Sequence, residues 1–174
     1  MITPAQRKGY VLQCLPEIKD YLLSKVLYWP MGNNIHPLTP GNVLLELKLL
    51  SIDDLALANN VADQLNEITK AWPTKWVERC TQEINARTRS WAEVAEEPKE
   101  LSDATYRNEV RNRAIIALLQ HQPGVVSDTN YLANLDSKIK KCLTAGSFVW
   151  QDKYSSLFEQ PTFWFLYQTV NRKG

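Results

Sequence analysis

Arg107 and Arg111 stand one helical turn apart with Arg113 to the side, and Arg79, Arg87 and Arg89 precede them in the chain. Guanidinium groups hold phosphates and carboxylates in bidentate geometry, so two neighbouring helices carrying these residues would present a phosphate-binding patch. On that reading Arg79, Arg87, Arg107 and Arg111 are the candidate nucleic-acid contacts. The plainer expectation is surface ion pairing. Glu100, Asp103 and Glu109 lie near one set and Glu78 and Glu83 near the other, at roughly 0 to 1 kcal/mol per exposed pair. Aromatic interleaving of the kind that single-strand binding uses is sparse around these arginines. Arg87 is the odd member, falling between Ile84 and Trp91 where the heptad pattern calls for an apolar residue. A buried unpaired charge is costly, so Arg87 requires an acidic partner, an aromatic face such as Trp91, or an anionic group brought by another molecule.

Other chemistry is thinly represented. His36 sits in a Pro-rich loop and His121 near the end of a helix, where the helix dipole favours a cation. Arg113 and His121 resemble in residue type the Arg and His pair of HEPN-type ribonucleases. Seven intervening residues exceed that family's short interval, however, and a spacing of eight turns the side chains about 80° apart, so no membership follows. The chain has no nucleophile elbow, Walker loop, dinucleotide fingerprint or zincin motif. Glu93, Glu96 and Glu97 lack the Glu-x-x-His partner of a di-iron bundle and read as a solvated helix end. Cys14, Cys80 and Cys142 are far apart and sit among apolar residues at helical spacing, which makes them core residues; zinc-ligand spacings are missing. No metal and no cofactor are expected, and the chain reads as non-enzymatic.

Eight of the seventeen aromatic residues fall between Phe148 and Tyr167, a stretch with three charged side chains that precedes the basic tail Asn171-Arg172-Lys173. Aromatic side chains bring roughly 150 to 250 Å² each, so this segment must be covered. It either folds back over the molecule's own core or anchors a partner. Pro161 and the close succession Phe163-Trp164-Phe165 prevent all rings from facing one way, which would leave some near the surface.

The elements that must position these residues are helical, because strand signals are nearly absent and apolar residues recur every three or four positions. Thr3 and Pro4 start a first helix with the stripe Val11, Leu15, Ile18, Leu22 and Val26, which Pro16 should bend or split. Residues 28–41, with Pro30, Gly32, the Asn33-Asn34 pair, Pro37, Pro40 and Gly41, read as the main loop. Thr39-Pro40 begins a short helix through Leu50, and Ser51, with Asp54 three residues on, reads as the cap of the next. That helix carries the seam Ala58, Val61, Leu65, Ile68 and Trp72, resuming after Pro73 at Trp76, Val77, Cys80, Ile84, Trp91 and Val94. One long helix kinked near Pro73 is expected. An acidic connector with Pro98 follows. Ser102 caps a further helix, stapled by Leu101 and Tyr106, whose second half, Ala114 to Leu119, is apolar all round and should be central. Pro123-Gly124 ends it. Asp128 or Asn130 caps the helix carrying Leu132, Leu135, Ile139 and Cys142, with Gly146 as its terminating residue.

At 174 residues, 44% hydrophobic and 22% charged, the chain is composed like one ordinary globular domain. No apolar run approaches the roughly 20 residues of a membrane span, no signal-type block follows Arg7 and Lys8, and a cytoplasmic location is expected. A net charge of +1 excludes long-range steering of polyanions. The expected architecture is all-α, a single-domain bundle of five to seven helices over residues 1–174, with 148–174 packing on it. The expected function is that of an adaptor or regulatory subunit binding a protein partner, or a second copy of itself, through Trp29, Met31, Trp164, Phe165 and Tyr167. Nucleic-acid binding through the arginines is the alternative, and no membrane contact is expected.

Overall fold

The computed structural model describes residues 1–32, 35–97 and 101–171. Asn33 and Asn34 of the expected loop, Pro98 and Glu100 of the acidic connector, and the Arg172-Lys173 tail lie outside the described residues. Among those described, the fold is all-α: α1 (Pro4–Leu23), α2 (Pro40–Asp53), α3 (Leu55–Ala71), α4 (Pro73–Glu96), α5 (Asp103–Gln120) and α6 (Thr129–Lys140). A short antiparallel ribbon follows, β1 (Leu143–Ala145) with β2 (Gln168–Val170), in the register Leu143 to Val170. Two 3₁₀ helices, Asp152–Leu157 and Trp164–Tyr167, lie between its strands.

Local sequence explains the starts. Thr3 forms a capping box with Gln6, and Thr39, Asp54, Ser102 and Asp128 each accept a backbone N–H of the following turn. Ser51 is not a cap. It lies inside α2 and donates to the Lys48 carbonyl at 2.7 Å, while Asp54 takes the capping role. The expected kink at Pro73 is a break: Trp72, with φ −130° and ψ 49°, separates α3 from α4, and Pro73 is the first residue of α4. Proline there needs no N–H and brings a φ already helical. Pro16, conversely, does not split α1, because it and Leu12 both lie on the exposed side, where water can serve the carbonyl its ring leaves unpaired. Gly146 lies beyond β1 rather than at the end of α6, its N–H donating to the Tyr167 carbonyl at 3.0 Å.

α5 packs on α4 and α2, α1 packs on α2 and α3, and α6 packs on α4. Ala114, Ile115, Ile116, Ala117 and Leu119 are buried, which makes the second half of α5 the centre of the core. The C-terminal segment closes over this core. Phe148, Tyr154, Phe158, Phe163 and Phe165 are buried, with edge contacts Phe158 to Phe163 at 5.0 Å and Phe163 to Phe165 at 6.0 Å. Tyr106 on α5 donates to the Phe165 carbonyl at 2.7 Å, and Asp103 accepts from Thr169 and the Val170 N–H. The start of α5 therefore pins both the 3₁₀ turns and the ribbon.

Candidate binding cleft and the buried charges behind it

A chain of charged and amide side chains runs through the bundle where helix periodicity places it on inward faces. Arg7 of α1 donates from Nε to Glu46 of α2 at 2.9 Å and also reaches Asp53, while its Nη1 donates to Tyr154 at 2.7 Å. Glu46 takes Arg111 of α5 on its other oxygen at 3.0 Å. Arg111 donates to Asn42 at 2.6 Å, and Arg87 of α4 joins the same Asn42 oxygen at 3.2 Å. Arg87 pairs with Glu83 at 2.7 Å, and Glu83 further accepts from Thr39 at 2.6 Å and from the Gly41 N–H at 2.7 Å. Arg7 and Glu83 have no solvent exposure, and Glu46 only 2%. Three arginines thus meet three carboxylates, with Asn42 as the hinge between the two halves. Buried charge is tolerated because nearly every member has a partner.

The surroundings shift the titrating groups. Burial lowers the His36 imidazole to about 4, with the Arg111 charge adding to the effect and Glu46, 3.6 Å away, opposing it. At neutral pH it is uncharged, edge-on to Tyr10 at 6.1 Å. Burial works to raise Asp53, but hydrogen bonds from Lys153 and Tyr154 and the Arg7 charge outweigh it and leave Asp53 below its ordinary value. Arg111 lies below the usual arginine value, chiefly through burial and also through Arg87, against the pull of Glu46.

Arg111 is the member of this chain that reaches the surface. It lines an open cleft of about 500 Å³ with Arg107, Asn108, Met1, Val149, Trp150 and Gln151, between α5 and the C-terminal segment. Among the described residues no carboxylate lines the cleft. Arg107 is exposed and has no ion pair among the described residues. A recess of about 130 Å³ shares Arg107 and Val149 with it. Elsewhere, a groove of about 220 Å³ between α4 and α6 is lined by Arg89 together with Asp128.

The four arginines singled out from sequence separate. Arg107 and Arg111 share the cleft. Arg87 is internal, its partner being Glu83 rather than Trp91 or an outside anion. Arg79 is 4% exposed, lies 5.2 Å from the Tyr21 ring and donates to the Tyr21 and Ser24 carbonyls, closing the end of α1. Burial removes Arg79 and Arg87 from any phosphate-binding surface. Arg113 also turns inward, forked onto Asp136 at 2.9 and 3.0 Å and 4.8 Å from the Phe165 ring centroid, and Trp91 donates to the same Asp136 at 2.9 Å.

Of the expected partner anchors, Phe165 is fully buried and belongs to the core, because its ring fills the space between Arg113, Phe163 and Trp164. Trp164 is half-buried under Lys140, whose Nζ is 4.1 Å from its ring, and Tyr167 is half-buried with its hydroxyl donating to Phe158. Trp29 and Met31 are half-buried, Trp29 held by a bridge to Leu38.

Sequence reasoning missed Arg7, Asn42, Glu46, Glu83 and Asp53, and in the cleft Asn108, Trp150 and Gln151. The signals were present for some. Glu46 interrupts the apolar run from Val43 to Leu50, and Arg7 lies on one stripe with Tyr10, Val11 and Cys14. Trp150 was counted among the aromatics, but nothing in its spacing pairs it with Arg107.

Among the described residues no group of three or more His, Cys, Asp or Glu is placed to hold a metal, and no helix is long and apolar enough to cross a membrane. No family model, no curated protein and no solved structure matches the chain.

Proposed function

We propose that this is a non-catalytic helical binding protein whose Arg107 and Arg111 hold the phosphate of a ligand. The observation that carries the reading is the meeting of these two arginines in one open cleft that, among the described residues, no carboxylate lines. Arg111 is held there by Asn42 and Glu46, so it is oriented before any ligand arrives. This narrows the nucleic-acid alternative from four arginines to two and places it ahead of aromatic docking, since Phe165 is core. Tripolyphosphate should raise the thermal unfolding midpoint of the wild type, less so in high salt, and should leave Arg107→Ala unmoved. An unchanged midpoint in the wild type rejects the reading. Three free cysteines support a reducing, cytoplasmic setting.

A specific observation also favours docking of a protein partner. Leu23, Val26 and Tyr28 are 49%, 46% and 47% exposed, next to the half-buried Trp29 and Met31. Exposed apolar residues in close succession are a feature of contact surfaces, and a second copy of the chain is the occupant to test first. Sedimentation velocity should then show a concentration-dependent dimer that Tyr28→Ser weakens. A monomer at every concentration removes self-docking.

A further inference from the structure

Building on the phosphate reading of the Arg107 and Arg111 cleft, we infer that its ligand is a nucleotide, with phosphates on the two guanidinium groups and the base on the Trp150 indole. Trp150 forms a braced platform. Phe158 meets its ring edge-to-face at 5.2 Å and 80°, and Phe148 at 6.0 Å and 82°, while the indole stays half-buried at the cleft. A ring already held loses little rotamer freedom when a base stacks on it, and stacking needs only the π-face that every base has.

The phosphate end is equally prepared. Arg111 donates one N–H to Asn42 and one to Glu46, which leaves further donors on the same guanidinium. Its carboxylate partner is Glu46 at 3.0 Å on the inner side, and the remaining donors are within reach of an anion entering the open cleft. Arg107, one turn away on α5, supplies the second guanidinium. Asn108 and Gln151 line the same cleft, and amide side chains bring both donors and acceptors, the chemistry that base edges and ribose hydroxyls require.

The size and mixture of the lining select the ligand class. A cleft of about 500 Å³ falls within the range that holds small molecules. A bare phosphate would leave the indole and Val149 uncovered. A long nucleic acid strand gains affinity by neutralising many phosphates, and this chain, at net charge +1, brings two arginines to the cleft.

Isothermal titration calorimetry of the full chain with ADP, with pyrophosphate and with a short single-stranded oligonucleotide tests this. ADP should bind at least about tenfold more tightly than pyrophosphate. Trp150→Leu should remove that advantage and leave pyrophosphate affinity unchanged, Trp150→Tyr should keep most of it, and Arg107→Ala should weaken both ligands. Thermal melts of each variant report folding; if Trp150→Leu fails to fold, Trp150→Tyr and Arg107→Ala still decide. Equal affinity for ADP and pyrophosphate, unmoved by either Trp150 variant, overturns the nucleotide inference and leaves the phosphate reading standing. Binding of neither ligand overturns both. An oligonucleotide that binds more tightly than ADP through Trp150 overturns the assignment of a free nucleotide in favour of a strand.

Discussion

Glu46 carries a guanidinium on each of its oxygens, Arg7 on one and Arg111 on the other. Replacing it with Gln keeps the shape but leaves Arg111 without its carboxylate partner and Arg7 with Asp53 alone. Removing one partner of a buried pair costs about 3 to 5 kcal/mol, so Glu46→Gln should lower stability in urea unfolding by about 3 kcal/mol; a loss under about 1 kcal/mol would show that the amide and water replace the carboxylate. His36 makes a pH-dependent contribution whose sign follows from its depressed value. Between its ordinary pKa of 6.5 and about 4 the unfolded chain binds a proton that the folded state does not, so stability falls as pH falls through that window. The integrated loss is on the order of 2 to 3 kcal/mol. Asp53, held below its ordinary value, adds a loss in the same direction at still lower pH. Urea unfolding from pH 7 to pH 4 should show the slope in the wild type and a shallower one in His36→Gln.

At the scale of elements, the helices meet where small or capping residues permit it. A Cβ added at Gly41, in the first turn of α2, would fall on the Ile115 side chain of α5 and the Glu83 carboxylate of α4. The glycine is there for close approach, because that approach brings the Gly41 N–H to Glu83 at 2.7 Å. Gly41→Ala should cost about 1 to 3 kcal/mol through overpacking, measured by urea unfolding. The α2 to α3 junction offers a sharper contrast. Asp54→Ala should cost about 1 kcal/mol as a lost cap, whereas Ser51→Ala should change stability by less than about 0.5 kcal/mol, because Ser51 hydrogen-bonds only to a carbonyl within its own helix. Equal losses would return the cap to Ser51.

Over the whole molecule, the C-terminal segment is part of the core rather than an appendage to it. Tyr154 touches Arg7 and Asp53 at one end of the charge chain, and Phe165 touches Arg113 near its own pair with Asp136. Phe165→Ala should therefore cost about 3 to 5 kcal/mol and should lower the urea midpoints seen by tryptophan fluorescence and by far-UV circular dichroism together. The expected role of Phe165 as a partner anchor does not fit its burial in the core. Retained stability in Phe165→Ala would reopen it.

The sequence by itself determined the helical class, most helix starts and the central place of α5, because caps, prolines and three-four spacing act within a few residues of one another. It also located the aromatic segment and singled out Arg87 as a charge in an apolar seam. It misplaced the α3 cap and the Pro73 junction, where two local solutions were nearly equivalent and packing chose between them. Only the tertiary structure decided which arginines are internal. Arg79, Arg87, Arg107 and Arg111 are alike in composition, yet the first two are enclosed by carbonyls and a carboxylate of their own molecule, Arg111 pairs with Glu46 and still reaches the cleft, and Arg107 is exposed there. Whether a guanidinium is satisfied depends on groups tens of residues away, as Arg111 on Glu46 and Arg7 on Tyr154 show. Spacing along one helix says which residues share a face, and the fold alone says what that face meets.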